Sequence, residues 1–400
     1  MRAIIIGGGI GGPLAAVALQ RVGIEATVYE AHDGPAESLG LFLGLGINGM
    51  RVLRQLGLLD AVLRTDCIPT PAMVFSSATG KRLGAAPNGW LDPHTPSITL
   101  MRGALQSALA DEARARGIAI CYGKRFRSFT EQDGRVVTLF DDGSTAEGDL
   151  LLGADGIRSR VRAAMLPDGP EPSYVGLLNL GGVVQQSDLP ATPGEMHMVW
   201  GKRAFFGYTV RPGGEAWWFA NLGMRQEPRR QELAARSTEE WKGMLCELFA
   251  GDAAFISALI RRTETIGATP IHDLPSLPRW STGRAALLGD AAHAVSPSAG
   301  QGASMAMEDA LMLAVCLRDT PDPQQALCRY EQLRRPRAER IVASGRARGN
   351  YKALRSRAAV FLRDLLMPLA FRLFATERSL AWIYDYEIPL EAPVASPLAV

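Results

Sequence analysis

Apolar residues at the start of the chain change from a continuous run to a helical period and back again. Residues 4–6 are three consecutive isoleucines, a pattern typical of a fully buried strand. A helical spacing of apolar residues follows, at Leu14, Val17, Ala18, Leu19 and Val22. Residues 26–29 predict a second strand, which ends at Glu30. The pattern predicts a strand–helix–strand unit of a parallel sheet.

The rest of the chain alternates between strand and helix patterns in a way that predicts an interrupted α/β domain. Helices are predicted over 50–63, 101–117 and 237–249, and again from residue 303 onward. Residues 72–86 predict a hairpin that turns near Thr79-Gly80, and residues 125–156 predict strands that turn at Asp133-Gly134 and Asp142-Gly143. Residues 172–275 are rich in strand formers and aromatic residues, which predicts a separate, largely antiparallel sheet.

These patterns divide the chain into three parts. A discontinuous nucleotide-binding domain is predicted from residues 1–71, 98–171 and 279–330. Residues 72–97 and 172–278 form the predicted inserted domain, and residues 331–400 form a helical region with a loose tail.

Composition and charge exclude several classes of protein. The formal net charge of +2 gives no strong field for nucleic acid, so no nucleic-acid partner is expected. The five cysteines show neither C-x-x-C nor zinc-ligand spacing, which is typical of reduced thiols in a cytoplasmic protein without a metal site. No uncharged run is long enough to span a bilayer, and no membrane partner is expected.

Glycines at Gly7, Gly9 and Gly12 separate the first strand from the first helix in G-x-G-x-x-G spacing. Glycines in this position permit a tight turn and let the backbone approach a pyrophosphate at the helix N-terminus. Glu30, at the end of the next strand, can accept hydrogen bonds from ribose hydroxyls. The combination predicts adenine-dinucleotide binding; a glycine loop without function would not need the terminal acid.

A second polar loop follows the predicted strand at 285–289. Asp290 can bind a second polyol, and Gly300, Gln301 and Gly302 leave backbone N–H groups exposed at a helix start, where the dipole suits a developing anion. A nicotinamide dinucleotide needs no such second site, whereas a flavin with a ribityl chain does.

Two further residues suggest cofactor contacts. Arg102 lies in the first turn of a predicted helix, where the dipole disfavours a cation, so either a flavin or pyrophosphate contact or a solvated arginine is expected. Asp155-Gly156 ends an apolar strand, as an ordinary turn or as a loop near phosphates.

Three motifs in this order carry a family resemblance. The segments GGGIGG, GADGIRSRVR and GDAAHAVSPSAGQGASMAMEDA, followed by RYEQLRRPRAERI, resemble those of the single-component FAD-dependent aromatic hydroxylases, typified by para-hydroxybenzoate and salicylate hydroxylases. The resemblance implies an α/β fold with a Rossmann-like FAD-binding domain, an inserted, mainly antiparallel substrate domain and a helical C-terminus. It also implies non-covalent FAD, with NAD(P)H as transient co-substrate and O2, and hydroxylation of an aromatic or polycyclic molecule through a flavin hydroperoxide.

The resemblance also assigns cofactor residues. They contact the pyrophosphate, the adenosine ribose, the ribityl chain or the isoalloxazine ring: Gly7, Gly9, Gly11, Gly12, Glu30, Gly44, Arg102, Asp155, Asp290, Gly300, Gln301, Gly302 and Ala303. His293 matches a position that we interpret as structural or flavin-adjacent rather than as a base. The family's Trp-Arg-Gly is replaced by the stretch LLNLGGVV, so Asn179 is the polar side chain expected at that turn and the substrate class is left open.

The substrate pocket is expected between the aromatic sheet and the flavin. Its candidates are Asn179, Arg203, Phe206, Tyr208, Trp217 and Asn221, with Arg203 as the candidate catalytic residue that orients an anionic or phenolate substrate. Strand alternation puts Phe206 and Tyr208 on one face and Phe205 on the other, and the sequence does not decide which face lines the pocket. The alternatives are a packed aromatic core, an epoxidase or oxidase of a natural product, and a non-catalytic FAD-binding protein. Oligomeric state is not predicted.

Overall fold

A computed structural model of the 400-residue chain describes residues 1–35, 41–89, 95–350 and 357–393. Its strands are β1 Arg2–Ile6, β2 Glu25–Tyr29, β3 Phe42–Leu45, β4 Cys67–Pro69, β5 Ala72–Ser77, β6 Arg82–Pro87, β7 Ile98–Met101, β8 Ala119–Cys121, β9 Phe126–Gln132, β10 Arg135–Phe140, β11 Thr145–Gly148, β12 Leu150–Gly153, β13 Ser173–Val184, β14 Glu195–Trp200, β15 Ala204–Val210, β16 Ala216–Gly223, β17 Gly267–Asp273, β18 Ser281–Thr282 and β19 Ala285–Leu287. Its helices are α1 Gly11–Arg21, α2 Ile47–Gln55, α3 Leu59–Leu63, α4 Arg102–Ala115, α5 Arg160–Met165, α6 Arg230–Ala235, α7 Thr238–Leu248, α8 Ala254–Arg262, α9 Asp290–His293, α10 Gly302–Asp319, α11 Pro323–Asn350, α12 Arg357–Phe374 and α13 Glu377–Tyr384.

A six-stranded sheet forms the centre of the first domain, in the order β18-β19-β12-β1-β2-β8. Its strands are parallel except for the edge strand β18. The isoleucines of β1 are almost fully buried because the parallel sheet is packed between helices such as α1 and the antiparallel strands β10 and β11. The predicted strand–helix–strand unit is therefore confirmed, and the polar loops that follow β1, β2, β12 and β19 meet at one edge of the sheet.

A seven-stranded sheet, in the order β17-β13-β16-β15-β14-β5-β6, forms the inserted part. Its pairs are antiparallel except for β14 with β5. We call the face that carries Phe205, Trp217, Phe219 and Asn221 the front face, and the face that carries Phe206, Tyr208 and Trp218 the back face. Helices α7 and α8 pack on the back face, whereas strand β3 approaches the front face.

Two smaller sheets complete the first domain. Strands β9, β10 and β11 form an antiparallel meander that turns at Asp133-Gly134 and Asp142-Gly143, as expected. Strands β3, β7 and β4 form a short antiparallel sheet between the parallel sheet and the inserted one. The hairpin predicted for residues 72–86 is confirmed as β5 and β6.

Two local predictions need correction. The helix expected over 50–63 is two helices, α2 and α3, because Gly57 adopts a φ of 67° and ends the first one. Asn179, expected at a turn, lies inside the long strand β13. Residues 394–400 of the expected tail lie outside the described residues, and the domain boundaries stay a prediction. Of the helices that the structure describes, none has the length and apolarity needed to cross a bilayer.

Candidate active site

The turn between β1 and α1 is shaped to receive an anion. Gly7 has a φ of 112°, and a Cβ added there would lie 2.4 Å from the carbonyl oxygen of Ala154. A Cβ at Gly12 would lie 1.9 Å from the carbonyl oxygen of Gly7. Only glycine fits these two positions, and α1 begins without a side-chain cap, so its first N–H groups are available to a pyrophosphate. Gly9 lies in the same turn, and Gly11 is the first residue of α1.

Glu30 follows β2 beside this turn and is 8% exposed. One carboxylate oxygen accepts the Gly8 N–H at 2.6 Å, and the other accepts the His32 N–H at 2.9 Å and contacts His32 Nδ1 at 2.6 Å. Burial alone would raise the pKa of Glu30, but the hydrogen bonds from His32 and Gly8 outweigh it and lower the pKa below its usual value. The residue is therefore an ionised acceptor, which suits ribose hydroxyls; His32 was not anticipated from the sequence.

Helix α4 borders the same turn. Arg102 is its first residue and is exposed, and Gln106, one turn later, donates from Nε2 to the carbonyl of Gly8 at 3.0 Å. Residues four apart share a helix face, so Arg102 lies on the side of α4 that faces the glycine turn. Gln106 was missed because one polar residue in a helix gives no sequence signal.

Asp155 follows β12 on the other side of Gly7. Its Oδ2 accepts the backbone N–H groups of Arg160 at 2.8 Å and Val161 at 3.1 Å, and so caps α5. Its Oδ1 is buried without a hydrogen-bond partner among the described residues. Burial raises the pKa of this carboxyl group. The second oxygen is an acceptor available to a ligand hydroxyl.

Asp290 and Gly302 lie close together at the edge of the parallel sheet. A Cβ added at Gly302 would lie 3.9 Å from Oδ1 of Asp290. Gly302 begins the 18-residue helix α10, which has no side-chain cap, and Gly300 and Ala303 flank the same helix start. A carboxylate and a bare helix N-terminus thus stand side by side, as a polyol next to a developing anion requires.

The buried Asp309 of α10 connects this loop to α11. Asp309 is fully buried; its Oδ2 contacts His293 Nε2 at 2.5 Å and accepts the Gly289 N–H at 2.9 Å. Its Oδ1 accepts from Nε of Arg334, also fully buried, at 2.8 Å. Burial alone would raise the pKa of Asp309, but His293 and Arg334 outweigh it and hold the pKa well below its usual range. His293 is therefore engaged in holding the loop.

A second buried acid orients Gln301. Glu308 accepts from Asn48 Nδ2 at 2.6 Å and pairs with Arg334 and Arg337 at 2.7 and 2.9 Å. Because the carboxylate fixes the amide of Asn48 with its NH2 group inward, Asn48 donates to Gln301 Oε1 at 2.9 Å. The Nε2 of Gln301 then points away, buried and without a hydrogen-bond partner among the described residues. It is a donor held ready for a ligand.

The front face meets the first domain at strand β3. Phe42 lies 5.7 Å from Trp217 and 6.0 Å from Phe219, measured between ring centroids. Gly44 lies on the same side of β3, and a Cβ added there would meet nothing within 4 Å. Space therefore remains between β3 and the front face, in line with the expected flavin approach at Gly44.

An amide pair lies on the front face. Asn221, which is 2% exposed, donates from Nδ2 to Asn179 Oδ1 at 2.7 Å. Trp217, two positions from Phe219 along β16, is 1% exposed, and Arg211 lies 5.4 Å from its ring centroid. Of the predicted substrate residues, the structure brings Asn179, Trp217 and Asn221 to this face.

The other three predicted substrate residues are not on this face. Phe206 is fully buried between Trp218 and Phe249, each 5.5 Å away. Tyr208 packs 5.1 Å from the rings of His197 and Phe255.

The structure also places Arg203 away from the front face. It donates to the carbonyls of Leu248, at 2.9 Å, and Glu247, at the end of α7 behind the sheet. These contacts place Arg203, Phe206 and Tyr208 away from the front face. Phe219 lies on the front face, and Phe42 approaches it.

The chain is similar to proteins of a known family. A family model described as an FAD binding domain matches residues 1–344, most of the chain. The chain belongs to this FAD-binding family. It is 32% identical over 375 residues to an aurachin C monooxygenase/isomerase of Stigmatella aurantiaca, which covers 92% of this chain and 93% of the relative. It is 33% identical over 358 residues to an FAD-dependent urate hydroxylase of Klebsiella pneumoniae, covering 87% and 89% of the two chains.

A solved structure has the same fold. The Klebsiella pneumoniae HpxO complex with FAD and uric acid aligns with a TM-score of 0.82 and 29% identity, covering 93% of this chain and 94% of the other. The predicted family, fold class, cofactor and enzyme class are confirmed. The protein is an FAD-dependent monooxygenase that uses NAD(P)H and O2.

The described residues fit FAD on their own geometry. At Gly7 and Gly12 no side chain keeps an anion from the backbone. Among the described residues, the buried acceptor Asp155 Oδ1 lacks a donor, and the buried donor Gln301 Nε2 lacks an acceptor. The roles of individual residues stay predictions.

Proposed function

We propose that this monooxygenase hydroxylates an uncharged, planar aromatic or polycyclic molecule bound between the front face and the flavin. The observation that carries the proposal is the Asn179–Asn221 pair on a face lined by aromatic rings. Carboxamides present both donors and acceptors, so the pair suits hydroxyl or carbonyl groups at the edge of a ring. The front-face positions of β13, β14, β15 and β16 carry no charged side chain, which disfavours a carboxylated substrate.

Different residues would contact different parts of the FAD. The glycine turn from Gly7 to Gly12 and Arg102 would hold the pyrophosphate, and Glu30 the adenosine ribose. Asp155 and Asp290 would accept the hydroxyls of the cofactor.

The remaining groups act on the ring of the flavin. The start of α10, from Gly300 to Ala303, would lie at the isoalloxazine, beside Gly44. Bound FAD would supply the oxygen-transfer chemistry, with electrons from NAD(P)H. The helix N-terminus favours negative charge on the reduced ring, and Trp217 and Phe219 keep water from the reacting centre.

We also infer a cytoplasmic location. The five cysteines are unpaired, as is usual in a reducing compartment. The low net charge of +2 supports a small molecule rather than nucleic acid as the partner.

Substrate-stimulated oxidation of NAD(P)H tests the proposal. Neutral hydroxylated aromatic compounds and their carboxylated analogues are compared in matched pairs, and products are identified by mass. We expect neutral members to stimulate oxidation and to gain one oxygen atom. Stimulation by the carboxylated members alone would reject the substrate class.

A pair of variants tests the amide pair itself. Asn221→Ala removes a polar contact of about 0.5–1.5 kcal/mol and should raise KM up to about tenfold while FAD content stays unchanged. Tyr208→Phe, a change on the back face, is the matched control and should leave KM unaltered. Equal KM values in Asn221→Ala and the parent enzyme would remove the amides from substrate binding.

A further inference from the structure

Helix α12 carries most of the exposed large apolar side chains that the structure describes. Six of the eight lie on this helix, and they are 52–72% exposed: Leu362, Leu365, Leu366, Leu369, Leu373 and Phe374. The other two, Met1 and Leu63, lie elsewhere in the chain. A group of exposed apolar side chains on one helix indicates a contact with a membrane or with another molecule.

The five leucines lie on one face of α12. Their spacing of three, one, three and four residues is the period of a single helix stripe. We call this stripe the leucine face; it comprises Leu362, Leu365, Leu366, Leu369 and Leu373.

The opposite face of α12 is anchored in the protein. Phe371 lies 4.6 Å from Phe75, and a Cβ added at Gly84 of β6 would lie 2.6 Å from its ring. Arg363 lies over the ring of Trp200 at 5.3 Å and donates to the Trp200 carbonyl at 3.1 Å. The helix is therefore fixed by one side, and the leucine face is directed to the surroundings by packing.

Exposed basic side chains accompany the leucine face. Between residues 362 and 378, where the structure describes the side chains, the chain has three basic and two acidic residues. Among them, Arg372 and Arg378 are exposed in the last turn of α12 and the first turn of α13. Lys81 and Arg82, at the start of the strand β6 on which α12 packs, are exposed as well. An apolar stripe with basic flanks is typical of helices that lie in the interface of an anionic bilayer.

A second copy of the chain fits this face less well. Two-fold pairing of α12 with itself would bring the same basic flanks together, which is repulsive. A stable protein interface also uses about 20–30 residues a side, and the apolar surface here does not continue beyond the helix among the described residues.

We propose that α12 docks the enzyme on an anionic lipid surface, with the leucine face in the acyl–headgroup boundary and Arg372 and Arg378 at the lipid phosphates. The docking is peripheral and requires no spanning segment. It revises the expectation, based on the lack of a spanning run, that a membrane is not a partner. The proposal is independent of the substrate class.

Vesicle flotation of the FAD-loaded, full-length protein tests the proposal. We compare vesicles of phosphatidylcholine alone with vesicles that also contain phosphatidylglycerol, at low and high salt. Binding is expected on the anionic vesicles and should weaken with salt. The double variant Leu365→Gln/Leu369→Gln should bind roughly tenfold more weakly or worse, because two leucines no longer enter the bilayer.

Two control variants make the result decisive. Leu63→Gln makes the same change at an exposed leucine of α3 and should bind like the parent. Arg372→Gln/Arg378→Gln should lose affinity for anionic vesicles only. FAD absorbance and the melting temperature show that each variant is folded.

Three outcomes would overturn the proposal. They are absence of binding to anionic vesicles, equal binding by Leu63→Gln and the double leucine variant, and a dimer in light scattering that the double leucine variant abolishes while vesicles are ignored. The last outcome would identify a second copy as the occupant of the leucine face.

Discussion

Three of the proposed cofactor contacts come from carboxylates that follow strands. Glu30, Asp155 and Asp290 each follow a strand of the same parallel sheet, so one sheet edge gathers three carboxylates around the glycine turn. Two of them already hold backbone N–H groups in the protein, whereas Asp290 stands next to the bare start of α10.

Replacing Asp290 by alanine should weaken FAD binding. The change removes a charged hydrogen-bond acceptor, a loss of about 1.5–3 kcal/mol, or roughly ten- to a hundredfold in Kd. Asp141→Ala, which removes a carboxylate from an exposed ion pair with Arg160, is the control and should bind FAD normally. Titration of the apoprotein with FAD measures both, and unaltered affinity in Asp290→Ala would exclude this residue from the site.

The substitution Gln301→Ala tests whether the buried Nε2 of Gln301 donates to the flavin. If its Nε2 serves the flavin ring, Gln301→Ala removes a hydrogen bond that favours the reduced, negatively charged ring, and the two-electron potential should fall by roughly 30–60 mV. Gln106→Ala loosens the glycine turn instead and should alter FAD affinity without that shift in potential. Spectroelectrochemical titration distinguishes them; equal potentials in Gln301→Ala and the parent would assign Gln301 a packing role only.

Strand alternation determines which face of the inserted sheet can meet the flavin. The sequence alone does not distinguish the two faces of β15 and β16, because both faces carry aromatic residues. The choice depends on α7 and α8, which cover Phe206 and Trp218, and on Phe42, which meets Trp217. These contacts join elements that lie tens of residues or more apart in the chain, so local patterns contain no information about them.

Arg203 illustrates the same point at the level of an element. Its guanidinium bonds the last carbonyls of α7, where a cation also complements the helix dipole. Arg203→Ala should therefore lower stability by about 0.5–1.5 kcal/mol and leave KM and coupling unaltered. Thermal unfolding and steady-state kinetics measure the two effects. A large rise in KM with an unaltered melting temperature would restore Arg203 as a substrate residue.

A buried ionic network joins the flavin loop to the C-terminal helices. Asp309 and Glu308 hold Arg334, which is fully buried, and Arg337 also donates to the carbonyls of Trp382 and Ile383. The motifs that resemble the family's third flavin segment and its following helix are thus two halves of one cluster. The sequence predicts each half, but the pairing between them is visible only in the folded chain.

The cluster predicts acid sensitivity with a definite sign. The pKa values of Glu308 and Asp309 are lowered in the folded chain, so their stabilising contribution is present above the ordinary carboxyl pKa and is lost as the pH falls through the folded values. The melting temperature should fall steadily below about pH 5. Asp309→Asn should be destabilised at pH 7 by about 3–5 kcal/mol, since Arg334 loses one partner.

The same variant supplies the check on that assignment. Asp309→Asn should show a shallower fall in melting temperature between neutral and acidic pH than the parent, because one linked proton is gone. Asp141→Asn, which breaks an exposed pair with Arg160, should leave the slope nearly unchanged. An identical pH slope in Asp309→Asn and the parent would contradict the role assigned to the network.

Coupling between NAD(P)H oxidation and product formation tests the whole arrangement most directly, because oxygen transfer succeeds only where water is excluded. Trp217 is the tryptophan of the front face that lies against Phe42 of β3, and Trp217→Ala opens that face without touching a flavin motif. With a substrate from the compound screen, we expect Trp217→Ala to retain FAD and NAD(P)H oxidation but to yield less product and more hydrogen peroxide per NAD(P)H than the parent, while Tyr208→Phe on the back face matches the parent. Equal coupling in Trp217→Ala and the parent, or a loss of coupling in Tyr208→Phe instead, would contradict a substrate site on the front face.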